Sequence, residues 1–276
     1  MISVKKMSEV VIKWTLFLVL TGICIVPFYM MFINATHTNA DIAFRIQLLP
    51  GRAFVRNYQN MQVYLNIWQY LINSLTVALP STVLAGYFGS LAAYGFAMFN
   101  FKGKEVLFAT VIATMMIPYQ LSLLGYFQMA VQVGLVNNYL PIILPALAHA
   151  ATVFWMRAHI QSVVNPSLIE AAKIDGYHQF GIFNFIVLPL AKTGLFTISI
   201  FNFIAVWNDF MTPLIFLQVQ AKFTVSVGIA VLRAMDLSDQ GITYTAVALS
   251  ILPVLIMYLF LNSKITAGIA SGGVKG

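Results

Sequence analysis

Charge is what this sequence has least of: Asp, Glu, Lys and Arg together make up 8% of it, while 60% is hydrophobic. With a mean hydropathy of +0.86, the chain lacks the charged, solvated surface of a soluble domain, and a soluble core is excluded. Cysteine is nearly missing too. Cys24, the single one, lies in an apolar stretch, so no intrachain disulfide forms, a cysteine metal site has no support, and packing is its default role. There is no G-x-x-x-x-G-K-[ST] phosphate loop. Gly103-Lys104 has neither the preceding glycine spacing nor the following hydroxyl, so the chain does not hydrolyse ATP itself. G-x-S-x-G, H-E-x-x-H and clusters of intramembrane carboxylates are also missing, which removes the basis for an intramembrane hydrolase or metalloenzyme. No basic run with interleaved aromatics occurs. The net charge of +7 therefore belongs to loop lysines and arginines and not to a nucleic-acid surface.

What the chain does have is long apolar runs, the signature of membrane helices. They predict an all-α polytopic membrane protein, a single transmembrane domain over 1–276 with six spans at roughly 14–33, 70–99, 106–130, 139–157, 190–217 and 242–261. The first run follows Lys5, Lys6 and Lys13 and imitates a signal peptide, but it is too long and no small-x-small site follows, so an uncleaved span is expected. Pro27, Pro80 and Pro118 mark kinks or breaks, Pro118 standing just before Tyr119, Gln120 and Ser122. Ala85, Gly89 and Ala93 recur every fourth residue, a stripe on which a second helix packs closely. Pro50-Gly51 marks a turn in the first long connection, 34–69.

Ten basic residues fall inside or at the inner interface: Lys5, Lys6, Lys13, Lys102, Lys104, Arg157, Lys173, Lys192, Lys264 and Lys275. Five fall outside: Arg45, Arg52, Arg56, Lys222 and Arg233. The excess places both termini in the cytoplasm, although three arginines in the first external loop run against the trend. Intramembrane polar groups are few. His149 reads as a hydrogen-bonded packing residue, a metal or proton role being the alternative. Asp209, the only carboxylate in a span, must face a water-filled cavity, a partner helix or the outer interface. Adjacent Trp207 favours the interface, and Pro213 with the apolar run after it suggests a bend and re-entry. In the second external loop, 218–240, which includes Asp236, the run TVSVGIAVL is too apolar for a solvated connector. It either contacts a partner or packs on the protein's own outer face. The last residues, 264–276, read as a small glycine-rich tail.

One polar stretch, NPSLIEAAKIDGYHQFGIFNFIVLPL at 165–190, interrupts the hydrophobic second half. Asn165 is placed to cap a helix, Pro166 suits its first position and Gly176 its left-handed stop, predicting a short helix over 166–175 that cannot span. Leu168, Ala171, Ala172 and Asp175 fall on one side as a contact surface, flanked by the charges of Glu170 and Lys173. The plainer reading is an amphipathic loop helix.

Glu170-Ala171-Ala172, then Gly176, then Ile186, Leu188 and Pro189 resemble the EAA signature of binding-protein-dependent ABC importer permeases, and the IDG form resembles the carbohydrate (MalG-like) subgroup. NYQNM before Trp68, Tyr70 and Asn73-Ser74 is similar to this subgroup, as are WNDF-x-x-PL and the ending GGVKG. The resemblance implies a permease subunit that forms half of a transmembrane path in a bacterial or archaeal plasma membrane. In that family the EAA helix sits in a cleft of a separate cytoplasmic ATPase, so Glu170, Ala171, Ala172, Asp175, Gly176, Ile186, Leu188 and Pro189 would couple to it. Implied partners are a second permease, homologous (MalF-like) or identical, two ATPase domains carrying ATP and Mg, an extracytoplasmic solute-binding protein, and a sugar as cargo. The chain itself would bind no cofactor. Rings and amides suit a polyol, and Asn73, Tyr119, Gln120, Asn202 and Asn208 are the candidates for lining the path, helix–helix hydrogen bonding being the alternative for each. The competing class is a self-contained ion-coupled secondary carrier, but repeated halves and paired midplane charges are not evident.

Overall fold

Every regular element in the computed structural model is helical among the described residues, 4–235 and 239–272, with side chains described for 10–235 and 239–261. In chain order they are α1 (Val4–Asn34), α2 (Asn39–Phe44), α3 (Phe54–Tyr64), α4 (Ile67–Met98), α5 (Lys104–Met115), α6 (Leu123–Gln132), α7 (Leu140–Ile143) and α8 (Ala150–Val163). Then come α9 (Pro166–Ile174), α10 (Gln179–Leu190), α11 (Lys192–Asn208), α12 (Met211–Phe216), α13 (Val225–Ala234) and α14 (Gln240–Gly272). Four stretches are long and apolar enough to cross a membrane: Val10–Asn34, Ile67–Met98, Leu140–Val163 and Gln240–Leu261. The two bent pairs, α5 with Tyr119–Gln132 and α10 with α11, counted as one broken span each, bring the number among the described residues to six.

The break marked at Pro118 is present, whereas the bend at Ala191 is not among the kinks expected from the sequence. The span expected at 106–130 turns by 92° at the residues before Tyr119, and the one expected at 190–217 has an 81° bend at its second residue, Ala191. Pro118 explains the first, because its ring removes a ladder hydrogen bond and Ile117 before it is driven out of the helical region. α11 ends at Asp209, whose extended backbone (ψ 123°) breaks the chain before Pro213, so the interruption lies four residues earlier than the proline suggested. The span expected at 139–157 opens with α7 and a 3₁₀ turn over Leu144–Ala148, and α8 then runs on to Val163. The expected tail is helical through Gly272. Asp236 and Lys275, and the side chains of Lys5, Lys6 and Lys264, lie outside what is described.

Contacts divide the chain into two units. The first comprises Met1–Ile67 and Ile229–Leu252. Its connection after α1 is a folded platform with two short helices. The Thr36 hydroxyl accepts from Gly51 N at 2.7 Å and its carbonyl from Ala53 N at 2.8 Å, while the fully buried Asn57 amide donates to the Ala35 and His37 carbonyls at 3.0 and 2.8 Å. Thr38 and Asp41 form a capping box at α2, and the Thr38 hydrogen bonds lower the Asp41 pKa.

The second unit comprises Trp68–Gly228 and Pro253–Gly276. In it the small-residue stripe of α4 receives α8: a Cβ on Gly89 would lie 2.6 and 2.7 Å from Cγ2 and Cβ of Thr152. The connection after α12 is tied down by side chains. Lys222 donates to the Asn137 carbonyl at 2.6 Å, and the Asn73 amide donates to the carbonyls of Ala221 and Phe223 at 2.8 and 3.0 Å. The apolar run at 224–232 enters α13 at Val225, with Val225 and Val227 buried, so it packs on the protein itself. Asn73→Ala removes these two hydrogen bonds and the one that Asn73 Oδ1 accepts from Gln69 Nε2 at 2.9 Å. It is expected to cost about 1–3 kcal/mol, read as a lower thermal midpoint of the purified protein with its oligomeric state retained.

Candidate coupling helix and transmembrane cavity

All residues of both candidate sites lie in the second unit. The helix expected at 166–175 is α9. Asn165 caps it by accepting from Ser167 N at 3.1 Å, and Pro166 occupies the first turn, where its missing N–H costs nothing. At the other end Gly176 adopts φ 86°, with Gly176 N bonded to the Lys173 carbonyl at 3.1 Å and Tyr177 N to the Ala172 carbonyl at 3.0 Å. That pair of bonds is the Schellman motif, which satisfies carbonyls that would otherwise be orphaned.

The two faces of α9 have different partners. Ile169 and Ala172 are buried in a cluster with Tyr94 of α4, Met156 and Ile160 of α8, and Phe183 and Val187 of α10. Leu168, Ala171, Ile174 and Tyr177, spaced by three, remain exposed beside Glu170, Lys173 and Asp175. Ile174 is 87% exposed. This corrects the expected pair of surface alanines, since Ala172 faces inward and only Ala171 is free. Ile186 and Leu188 pack against the same cluster and do not join the exposed face. Pro189 is exposed on α10, two residues after a π-turn over Phe183–Val187. α10 is also held from above, with Tyr94 Oη donating to Gln179 Oε1 at 2.9 Å and Tyr87 Oη to Asn184 Oδ1 at 3.1 Å. A push on α9 therefore meets a packed core joined to α4, α8 and α10, and not a loose loop.

Where the helices break, they line a cavity of about 640 Å³. Its wall includes Tyr119 from the broken third span, His149 at the start of α8, Asn202 and Asn208 from α11, and Asp209 at its end. Non-helical backbone at membrane depth survives where it lines such a space. Asp209 Oδ1 accepts from Thr212 N at 3.2 Å and sits 3.4 Å from the Tyr119 hydroxyl that donates to it. Asp209 thus faces the cavity. Trp207 is no interface anchor, being 4% exposed and stacked on Phe203 with centroids 5.5 Å apart.

Of the path candidates, Tyr119, Asn202 and Asn208 come together here. Gln120 is not among the lining residues, and Asn73 is engaged with the 221–223 turn. Sequence reasoning passed over Thr152, Ser81 and Thr212. Thr152 is fully buried and its hydroxyl joins His149 Nδ1 at 2.8 Å and Asn202 Nδ2 at 3.0 Å, which orients both at the cavity wall. Ser81 Oγ is buried with no partner among the described residues, and Ser81 lines the same space. Single hydroxyls on apolar helices give no signal in a sequence.

Residues 85–267 match the family model described as the inner membrane component of binding-protein-dependent transport systems. The chain belongs to this family. The permease is 31% identical over 238 residues to the arabinooligosaccharides transport system permease protein AraQ of Bacillus subtilis, covering 86% of this chain and 83% of the relative. It is 30% identical over 253 residues to the melibiose/raffinose/stachyose import permease protein MelC of the same species, covering 91% of each. Its fold matches a bacterial ABC transporter involved in the import of the acidic polysaccharide alginate, with a TM-score of 0.79 at 19% identity, over 95% of this chain and 98% of that one. The permease is thus a multi-pass membrane subunit of an ATP-driven importer and not a self-contained ion-coupled carrier.

Proposed function

We propose that the permease carries a sugar, and that α9 is where a separate cytoplasmic ATPase grips it. The observation behind the second statement is the exposed face of α9: Leu168, Ala171 and Ile174 stand bare on a helix whose other face is locked into the core, and exposed Tyr177 follows just past its end. A short apolar face ringed by Glu170, Lys173 and Asp175 suits a protein cleft better than open water. With both termini cytoplasmic, α9 and the Lys102–Lys104 turn lie on the same side as the ATPase, in keeping with the excess of basic residues there. ATP and Mg are held by that partner, and this chain binds no cofactor of its own. Closing of two such ATPase domains draws the α9 helices of two permeases together and shifts the pair between inward- and outward-open states. The second permease is homologous or identical, and a solute-binding protein delivers the cargo outside.

The sugar assignment draws on the transport named for AraQ and MelC and on the cavity wall. Amides at Asn202 and Asn208, hydroxyls at Ser81 and Tyr119 and the ring faces of Tyr119 and Tyr126 supply the donors, acceptors and stacking surfaces that a polyol uses. Copurification tests the partners: a tagged permease drawn from mild detergent brings a P-loop ATPase and a second permease with it. Recovery of the permease alone, with sugar uptake into vesicles unaffected by ATP, would defeat the reading.

Asp209→Asn keeps the shape and the hydrogen-bond acceptor at Oδ1 while removing the charge. Uptake by this variant is expected to stay driven by ATP and indifferent to a proton or sodium gradient. Wild-type uptake that collapses on dissipating the ion gradient in the presence of ATP would make Asp209 a coupling site instead.

A further inference from the structure

The first external loop holds Arg45, Arg52 and Arg56 on the side where basic residues are scarce in membrane proteins. It also holds bare apolar side chains, with Phe44 85% and Ile46 80% exposed. The loop does not stand off in water. Tyr29 Oη on α1 donates to the Leu48 carbonyl, which ties the 44–49 segment to a point about 7.5 Å short of the end of α1. Most of the apolar stretch of α1 is left uncovered by the rest of this chain, as suits a helix at a lipid boundary.

Between this segment and the start of α14, within the first unit, lies a cavity of about 370 Å³ lined by Met30, Asn34, Phe44, Arg45, Gln240 and Tyr244 among others. Asn34 is only 9% exposed, yet its amide makes no hydrogen bond among the described residues. The Arg45 guanidinium, the Gln240 amide and the Tyr244 hydroxyl have no partner among those residues either. All four can donate. Among the described residues no carboxylate lines the space; Asp41 Oδ2 accepts from Thr38 N and Oγ1, and Asp239 Oδ1 from Gly241 N and Ile242 N. Four donors without a partner among the described residues, one of them a full positive charge, next to exposed hydrocarbon at the edge of an apolar helix left uncovered by this chain fit a phosphate ester with acyl chains attached.

We propose that this cavity binds the headgroup of an anionic phospholipid, with Arg45 on the phosphate, Asn34, Gln240 and Tyr244 on headgroup oxygens, and Phe44 and Met30 against an acyl chain. The leaflet is the one at the C-terminal end of α1, the outer leaflet in the orientation proposed above. Binding itself does not depend on that orientation or on the cargo. A zwitterionic lipid brings an ammonium group into the same donor-lined space, so phosphatidylglycerol is favoured over phosphatidylcholine.

The test uses the assembled transporter, delipidated in mild detergent and examined by native mass spectrometry and thermal unfolding with phosphatidylglycerol, phosphatidylcholine or inorganic phosphate. Phosphatidylglycerol is expected to stay bound and to raise the midpoint. Arg45→Gln should weaken its retention about tenfold, the loss of one charge-assisted contact, and Tyr244→Phe should weaken it less. Arg52→Gln, an exposed arginine off the cavity wall, should retain lipid within twofold of wild type. Equal loss in the Arg45 and Arg52 variants would reduce the effect to general surface charge and overturn the site. Equal retention of phosphatidylcholine, or displacement of phosphatidylglycerol by inorganic phosphate at the same concentration, would overturn the lipid assignment. Loss of the ATPase from the preparation would count against the proposed coupling and not against this site.

Discussion

Glu170→Lys is expected to strip the ATPase from the purified permease, whereas Gly176→Val keeps more of it bound and loses stimulated ATP hydrolysis and uptake. Glu170 is exposed and has no hydrogen bond or ion pair among the described residues, so reversing its charge leaves α9 intact and any effect reports on a partner. At a partly desolvated interface with a basic partner group, such a reversal costs several kcal/mol, on the order of a hundredfold or more in affinity. Gly176 is the opposite case. Nothing lies within 4 Å of a Cβ built there, but φ is +86°, so the strain of valine is backbone strain alone, about 1–2 kcal/mol from the left-handed region plus the crowding of a β-branched side chain. Relief of that strain turns α9 relative to α10 while the charged face stays the same. Gly176→Asn, which tolerates the left-handed region, should behave like wild type. The readouts are ATPase copurification, stimulated hydrolysis and vesicle uptake. Wild-type transport by both the lysine and the valine variants would end the claim that this helix couples ATP to transport.

Gly89→Ala and Gly95→Ala are expected to move stability in opposite directions, although both change the same residue type in α4. At Gly95 a Cβ meets nothing within 4 Å, so alanine gains helix propensity, about 0.5–1 kcal/mol. At Gly89 the new methyl would stand 2.6–2.7 Å from the side chain of Thr152. Thr152 cannot turn away. It is fully buried, β-branched and holds His149 and Asn202 through its hydroxyl. α4 and α8 must separate, at a cost of about 1–3 kcal/mol for overpacking, and the network at the cavity wall opens with them. Thermal midpoints of the two purified variants decide the matter, and a loss of uptake in Gly89→Ala larger than its loss of folded protein would tie the helix contact to the path. Equal midpoints would mean that α4 and α8 do not pack through Gly89.

Much of this protein was legible before any fold was known, because the responsible physics is local. Hydrocarbon must cover hydrocarbon, so the apolar runs announce spans. A cap, a first-turn proline and a left-handed glycine specify a short helix without help from distant residues, and α9 ends where Asn165 and Gly176 put it. Small residues every fourth position mark a close helix contact for the same reason.

Which side of a helix is covered depends on what arrives from elsewhere in the chain. Ala171 and Ala172 are indistinguishable in sequence, but the cluster containing Ile160, Phe183 and Val187 takes Ala172 and leaves Ala171 bare. Asp209 had three possible environments, and the break of α11 beside Tyr119 turned it to the cavity. Asn73 looked like a path residue until the 221–223 carbonyls, some 150 positions away, claimed its amide. The sequence by itself determined the family, the number of apolar passes and the capped helix, since each rests on neighbours a few residues apart. Only the tertiary structure decided the bend at Ala191, the cavity that the broken helices open and the partners of each buried polar group, because a hydrogen bond between remote segments satisfies a polar atom wherever packing happens to bring them together.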